Sequence, residues 1–541
     1  MDVKEYDYIV VGAGSAGCVL ANRLTEDPSI SVLLLEAGGR DWHPFIHMPA
    51  GLAKLVNIKW LNWGYETQPE PELESRRLYW PRGKVLGGSS SINAMCYARG
   101  HRADYDHWAD LGNRGWSYAD VLPFFVKAEN QERGESDYHG SDGPLNVQDL
   151  LHHNPLSEVF LEAAQQCGYT ANDDFNGPTQ RGFGYYQVTQ KGGARWSTAA
   201  GYLNPAKPRP NLTIATKALT HRVLLEGQRA VGVEFFKGRY LQTARARNEV
   251  LLSAGAINSP QLLMLSGIGP GQVLSRCGVR VNHELPGVGR NLQDHLDICT
   301  LYRSKTDITY DRTNDLAVGL KYMLFHRGVG TSNIAESGGF VVSDLAEDDR
   351  PDLQFHFVPA MLDDHGRNRL AGAGFTLHCC ALRPDSRGSI EIVSQDPKKY
   401  PAIKANYLSA PQDMDLMIEG IRLSRKILGA KAFDEYRAEE IFPGADATSR
   451  SDLEAFVRRK AETIYHPVGT CKMGSDDMAV VDSELRVHGI EGLRVIDASV
   501  MPTLVSGNTN APTVMIAERA SALIRNIAGY RTSQERTDAA A

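Results

Sequence analysis

Hydrophobic runs and alternations make the two ends of the chain legible and give the middle a different texture. Tyr8 to Val11 form an unbroken apolar run, the pattern of a strand buried on both faces of a parallel sheet. Ala16 to Leu24 read as a helix turning small residues to that sheet, and Ser31 to Leu35 as a second strand ending at Glu36. His221 to Phe235 alternate like a hairpin that turns at Glu226–Gly227. Asn248 to Gly267 read as strand, small-residue turn and helix, with Pro260 expected in the helix's first turn, where a missing N–H is tolerated. Leu493 to Pro502 hold a last buried strand with Asp497 at its C-terminal end. Asn510 then precedes a helix, with Pro512 suited to its first turn. Thr300 to Lys460 carries alternation in Ser332–Phe340, Leu353–Met361 and Cys380–Ile392, which predicts an antiparallel sheet. Asp41 to Arg99 is loop-like and aromatic, with Trp42, Trp60, Trp63 and Trp80. Within it, Phe45 to Trp63 mixes apolar residues and lysines at roughly helical spacing, as a flap, a dimer contact or a membrane-surface segment would.

A length of 541 residues exceeds one hydrophobic core, so at least two domains are expected. The 42% hydrophobic and 23% charged fractions are ordinary for a globular protein. A net charge of -7 without a basic block argues against nucleic acid as a partner. The eight cysteines are scattered and none forms a C-x-x-C pair, which fits reduced thiols in the cytoplasm. The N-terminus lacks the basic-then-apolar pattern of a signal peptide, and no run of about 18 apolar residues exists to span a membrane. The expected location is cytoplasmic, with peripheral contact at the cytoplasmic face of the inner membrane left open.

Between the first strand and helix, Gly12, Gly14 and Gly17 have the G-x-G-x-x-G spacing. Gly12 permits a tight turn, Gly14 lets backbone approach a pyrophosphate, and Gly17 allows close helix–strand packing. The helix start offers free N–H groups to phosphates, and Glu36, nineteen residues after Gly17, is placed to accept from a ribose diol. Dinucleotide binding follows. The sharp continuation Glu36–Gly39 and the long aromatic segment after it favour FAD over a nicotinamide cofactor.

"TIYHPVGTCKMG", Thr463 to Gly474, sets His466 and Cys471 in a Gly/Pro-punctuated stretch. No second histidine or carboxylate at ligand spacing accompanies them, which argues against a metal. Cys471 reads as a packed thiol.

"WPRGKVLGGSSSINAMCYARG" (Trp80–Gly100) and "SAGAINSPQLLMLSGIG" (Ser253–Gly269) resemble the two signature segments of the glucose–methanol–choline oxidoreductases. "GVGRNLQDH" (Gly287–His295), "YHPVGTCKMG" (Tyr465–Gly474) and "GNTNAPTVMIAE" (Gly507–Glu518) extend the resemblance over essentially the whole chain. Within that family it is most similar to FAD-dependent dehydrogenases of aliphatic alcohols or polyethylene glycol, with choline dehydrogenases close behind. The fold it implies is α/β, α+β overall: a Rossmann-like FAD-binding domain with an inserted antiparallel-sheet substrate domain capped by helices. The expected pieces are residues 1–155, 212–299 and 461–530 for the FAD domain, residues 156–211 and 300–460 for the substrate domain, and a disordered tail at 531–541.

The resemblance implies an FAD site built from Gly12, Gly14, Ser15, Gly17, Glu36 and Ala37 at the N-terminus and Gly87, Gly88, Ser89, Asn93 and Ala94 in the first signature. Val223, through its backbone, Ala254, Gly255, Asp497, Ala498, Asn510 and Pro512 complete it. Some members carry a flavin-linked histidine where this chain has Ile92, so FAD is expected to be non-covalent. The family's catalytic histidine falls on His466 and its second catalytic residue on Asn510. His466 would take the hydroxyl proton of a primary alcohol, Asn510 would donate to its oxygen, and a hydride would pass to flavin N5. The helix after Asn510 would add its positive end at the flavin's pyrimidine edge.

A quinone-like acceptor is expected. An oxygen-using oxidase, choline as substrate, and a flavin-bearing lyase remain alternatives. Glu336 offers a charge for choline, but Ser332–Ile334 beside it holds no aromatic residue for a cage, which tilts the substrate toward neutral alcohols. His356 reads more as a core histidine than as a pocket residue.

Overall fold

The computed structural model describes residues 4–368 and 370–525; the tail at 531–541 lies outside them. Two seven-stranded sheets organise the chain. In the first, Leu212–Thr216, Val32–Glu36, Lys4–Val11 and Tyr240–Leu252 lie side by side and parallel. The antiparallel ribbon Arg229–Lys237 and Ala218–Glu226 extends that sheet, and Leu493–Val495 pairs in parallel with the end of Tyr240–Leu252. The register aligns Val11 with Leu35 and Leu252, so the carboxyl ends of three strands finish level. The turns that follow, at Gly12, Ala37 and Ser253, therefore open on one edge, together with Asp497 just past Val495. An open parallel sheet presents its ligand site at that edge.

The second sheet is antiparallel, in the order Arg437–Phe442, Leu296–Ser304, Gly374–Ala381, Leu353–Val358, Ser337–Val341 and Gly182–Tyr185. Glu462–Thr463 pairs with the start of Leu296–Ser304. Pro155–Gln166 and Pro411–Leu428 cover one face of this sheet, where Phe160 stacks on Phe357 at 4.8 Å. The strand Leu296–Ser304 runs through the boundary expected at 299/300, because it pairs over its whole length with the antiparallel sheet.

Helix Ser15–Leu24 begins where Gly12 turns at φ +99°, and a Cβ on Gly17 would sit 1.8 Å from the Gly12 carbonyl oxygen. Pro260 departs from expectation: helix Gly255–Leu265 starts at Gly255, so the proline lies in its second turn. There it supplies no N–H to the Ala256 carbonyl four residues back. The Thr470 hydroxyl donates to that carbonyl instead, at 2.6 Å. The signature helix is thereby tied to the loop that carries His466.

Candidate active site

One continuous cavity runs along the carboxyl edge of the first sheet and under the second. Its wall includes Gly12, Gly14, Ser15, Glu36, Ala37, Ala254, Gly255, Asp497 and Ala498 from the sheet edge, Gly88, Ser89, Asn93 and Ala94 from the first signature, and His466, Asn508 and Asn510 from the C-terminal motifs. Gly17, Gly87, Val223 and Pro512 are not on its wall. Gly17 and Gly87 act from behind it: the Gly87 N–H donates to the Ala13 carbonyl at 2.7 Å. The Val223 N–H donates to Ser266 Oγ at 2.8 Å, and Ala218, Leu219 and Thr220 reach the cavity in its place. Two residues lie between Thr220 and Val223, enough for the strand to carry Val223 past the cavity.

The wall fits a dinucleotide. Glu36 accepts from the Ala13 and Gly38 N–H groups at 3.0 and 2.7 Å. Burial nevertheless pushes its carboxyl up to about 7, so donors such as a ribose diol would find a carboxylate short of partners. A Cβ on Gly88 would lie 2.6 Å from Gly14 Cα, so the two glycine loops close together around whatever they hold. Ser253 Oγ, Thr220 Oγ1, Asn333 Oδ1 and His356 Nδ1 line the cavity buried and without a partner among the described residues. Buried polar atoms are rarely left unpaired in a protein's working state. Asp497 is engaged with the protein, accepting from the Gly255 N–H at 2.8 Å and Ser259 Oγ at 2.6 Å, so it fixes the start of the signature helix.

His466 is 8% exposed, with its backbone N–H on Asp294 Oδ1 at 2.7 Å. Burial first, then the charges of His295, His356 and Arg82, hold its ring well below the usual histidine range. It is therefore a neutral base at neutral pH. Its Nδ1 faces His295 Nδ1 at 2.9 Å, and its Nε2 receives the side-chain amide of Asn508 at 3.2 Å. Asn510 does not reach it: Asn510 Oδ1 accepts from Ser15 Oγ at 2.7 Å, which ties the last helix to the glycine-rich turn. The asparagine opposite His466 is Asn508, two residues earlier in the same motif.

The motif Asn291–His295, matched in sequence but given no role there, braces this loop. Asn291 donates to the Gly469 and Pro502 carbonyls, Gln293 pairs with Val468 through its backbone, and Asp294 and His295 hold His466. Met95, Ile334 and Tyr465 line the cavity with left-handed backbone at φ +62°, +70° and +70°. Non-glycine residues held there store strain of the kind that accumulates around working sites.

Ile92, Val358, Leu362 and Ile464 give the wall apolar surface, alongside the half-buried Arg82 and the polar Asn333 and His356. Among the described residues, the carboxylates on the cavity wall are Glu36 and Asp497. Glu336 is turned away and satisfied by the Asn154 N–H and the hydroxyls of Ser157, Ser332 and Tyr310. His356, expected in the core, is buried and on the cavity wall at once. Cys471 is a buried free thiol, and no group of three metal-ligating side chains occurs among the described residues.

Residues 6–297 match the N-terminal model, and residues 384–517 the C-terminal model, of the family described as GMC oxidoreductase. An alcohol dehydrogenase [acceptor] of Pseudomonas putida is 51% identical over 96% of this chain and 95% of its own length. An oxygen-dependent choline dehydrogenase of Burkholderia multivorans is 49% identical over 97% and 94%. Among solved structures, pyridoxine 4-oxidase from Mesorbium loti superposes with a TM-score of 0.89 at 32% identity, covering 96% of this chain and 99% of that one. A formate oxidase of Aspergillus oryzae RIB40, whose description names FAD, gives 0.91 at 27% identity over 97% and 99%.

Proposed function

The chain belongs to the GMC oxidoreductase family, and from that premise we propose that it oxidises a primary alcohol to an aldehyde with non-covalently bound FAD. The supporting observation is one cavity lined both by the dinucleotide turn and Glu36 and by a neutral, buried His466. Ile92, on the wall where a linking histidine would stand, offers no nucleophile for a covalent bond to the flavin. Bound FAD would supply the acceptor for a hydride from the alcohol's α-carbon. His466 Nε2 takes the hydroxyl proton. Asn508, two residues from the position expected in the sequence, donates to the oxygen as negative charge grows there. The apolar wall keeps water from the reacting carbon.

The substrate this wall suits is a neutral aliphatic alcohol. Choline is the second reading, favoured by the relatives at 49% identity. Its ammonium would meet Arg82, and Asp297, held through Oδ2 by His378 at 2.6 Å, is not on the cavity wall. Anaerobic flavin bleaching by 1-octanol and by choline tests both readings. Faster bleaching by choline would overturn the preference for neutral alcohols, and bleaching by neither would overturn alcohol oxidation itself.

The electron acceptor we propose is a membrane quinone, reached by peripheral contact. Helix Asp315–Phe325 exposes Leu316, Leu320, Met323, Leu324 and Phe325 by 56% to 85%. It is joined by Lys54–Asp315 at 2.7 Å, and by the Tyr322 hydroxyl on the His47 carbonyl, to the segment whose Leu52 and Ala53 line the cavity. Lys54, bridged to Asp315, and Lys321, in the helix itself, add cationic groups at this apolar surface on a chain of net charge -7, which suits anionic headgroups. Among the described residues no helix is long and apolar enough to cross a membrane. Flotation with anionic vesicles should retain the protein and lose Leu320→Glu/Leu324→Glu; equal flotation of the two would remove the contact.

A further inference from the structure

The hydrogen bonds around His466 form a chain with a backbone carbonyl at each end. At one end His295 Nε2 lies 3.0 Å from the Leu382 carbonyl oxygen, which can only accept, so the ring carries its proton on Nε2. His295 is fully buried, and burial holds it at about 3 against the pull of the Leu382 and Val505 carbonyls, so it has that one proton and no other. Its Nδ1 is then a bare acceptor facing His466 Nδ1 at 2.9 Å, and the proton between the rings belongs to His466 Nδ1. That leaves His466 Nε2 as a lone pair.

The other end reaches the same result independently. The Tyr186 hydroxyl donates to the Phe355 carbonyl at 2.7 Å, so its oxygen accepts from Gln354 Nε2 at 3.1 Å. The Gln354 amide is thereby oriented, and its Nε2 also donates to Asn508 Oδ1 at 3.1 Å. With its oxygen claimed, Asn508 must turn its Nδ2 to His466 Nε2, again as donor to a lone pair. Gln354 and Tyr186 are as buried as His295.

We infer that His295 and Gln354 are positioning residues that together fix the Nδ1–H tautomer of His466 and aim its bare Nε2 at the substrate hydroxyl. No proton travels along the chain. When the alcohol O–H bond breaks, its proton goes to His466 Nε2, and the Nδ1–H bond to neutral His295 remains as the imidazolium forms. Without these contacts the imidazole could carry its proton on either nitrogen, and the Nε2–H form cannot accept from an alcohol. A triad whose orienting group is replaced so that the wrong tautomer forms loses about 10⁴-fold in kcat. A neutral acceptor such as His295 biases the tautomer less strongly than a carboxylate.

This inference rests on His466 as the base, and the variants separate the two. In the flavin-loaded enzyme, His295→Leu removes the acceptor and should lower kcat about 10- to 100-fold, with KM and flavin content unchanged. His295→Gln can accept from His466 Nδ1–H with its oxygen and donate to Leu382 with its amide, and should keep kcat within about threefold. A role confined to packing would not distinguish leucine from glutamine by kcat alone. Equal losses in the two variants, or none in either, overturn the inference. Should His295→Leu fail to fold, Gln354→Met decides: it frees Asn508 to flip and should cost about tenfold in kcat, and an unchanged rate overturns the inference. Loss of activity in His466→Ala with no effect at His295 or Gln354 refutes the positioning chain alone. Activity retained in His466→Ala refutes the base as well.

Discussion

At the scale of the residue, His466 derives its properties from where it is held. Its ring is neutral because burial and three neighbouring cationic or ionisable groups, His295, His356 and Arg82, oppose a second proton. The base form survives as pH falls, so log kcat/KM should stay level through pH 6.5 and bend down only well below it. An acid limb at 6.5 or higher, absent from His466→Ala, would contradict this. His466→Ala itself should lower kcat by about 10²- to 10⁴-fold while retaining flavin absorbance at 450 nm. The histidine was legible in "YHPVGTC", but its partner was not. Asn508 and Asn510 are chemically identical and two residues apart, and the choice depends on where the helix begins. Asn510 is the first helical residue and meets Ser15, whereas Asn508 lies in the preceding loop and points across the cavity.

At the scale of the element, glycines and one proline set the distances. A methyl at Gly88 would press on Gly14 Cα at 2.6 Å with φ already at +53°, so Gly88→Ala should spread the two loops. The expected outcome is a purified protein with little bound flavin, read from the ratio of absorbance at 450 and 280 nm. Thr470→Val strands the Ala256 carbonyl that Pro260 leaves unpaired, at a cost of about 1 to 3 kcal/mol, and should lower the thermal midpoint without changing kcat by much. The strands, the hairpin and the last helix follow from period and punctuation. The start of helix Gly255–Leu265 did not, because its first residues are small and compatible with either turn or helix. The Asp497 carboxylate, distant in sequence, accepts the Gly255 N–H and begins the helix there.

At the scale of the whole molecule, charges buried away from the cavity influence stability. His139 is pulled down by burial, but hydrogen bonds to Asp174 and Glu129, each at 2.9 Å, outweigh this and raise it to about 9. The folded value lies above the unfolded one of about 6.5, so its contribution is complete below pH 6.5 and disappears as pH rises through 9. The contribution is up to about 3 kcal/mol. His139→Gln should therefore lower the thermal midpoint by several degrees at pH 6 and by much less at pH 10; an equal deficit at both would refute the ion pair's role.

The sequence by itself determined the parallel-sheet turn at Gly12–Gly17, the acid at Glu36, the family's motifs and the histidine at 466. Each of these depends on local backbone geometry or on short spacings that a linear chain displays. Tertiary structure alone decided which asparagine meets His466, that His295 and Gln354 stand in its hydrogen-bond chain, that Glu336 is spent on its own neighbours, and that an apolar helix at Asp315–Phe325 is tied to a segment lining the cavity. Most of those outcomes depend on side chains brought together across more than 40 residues of chain, as in Asn508–His466, His295–His466, Gln354–Asn508 and Asn154–Glu336, and no periodicity or spacing encodes such a meeting.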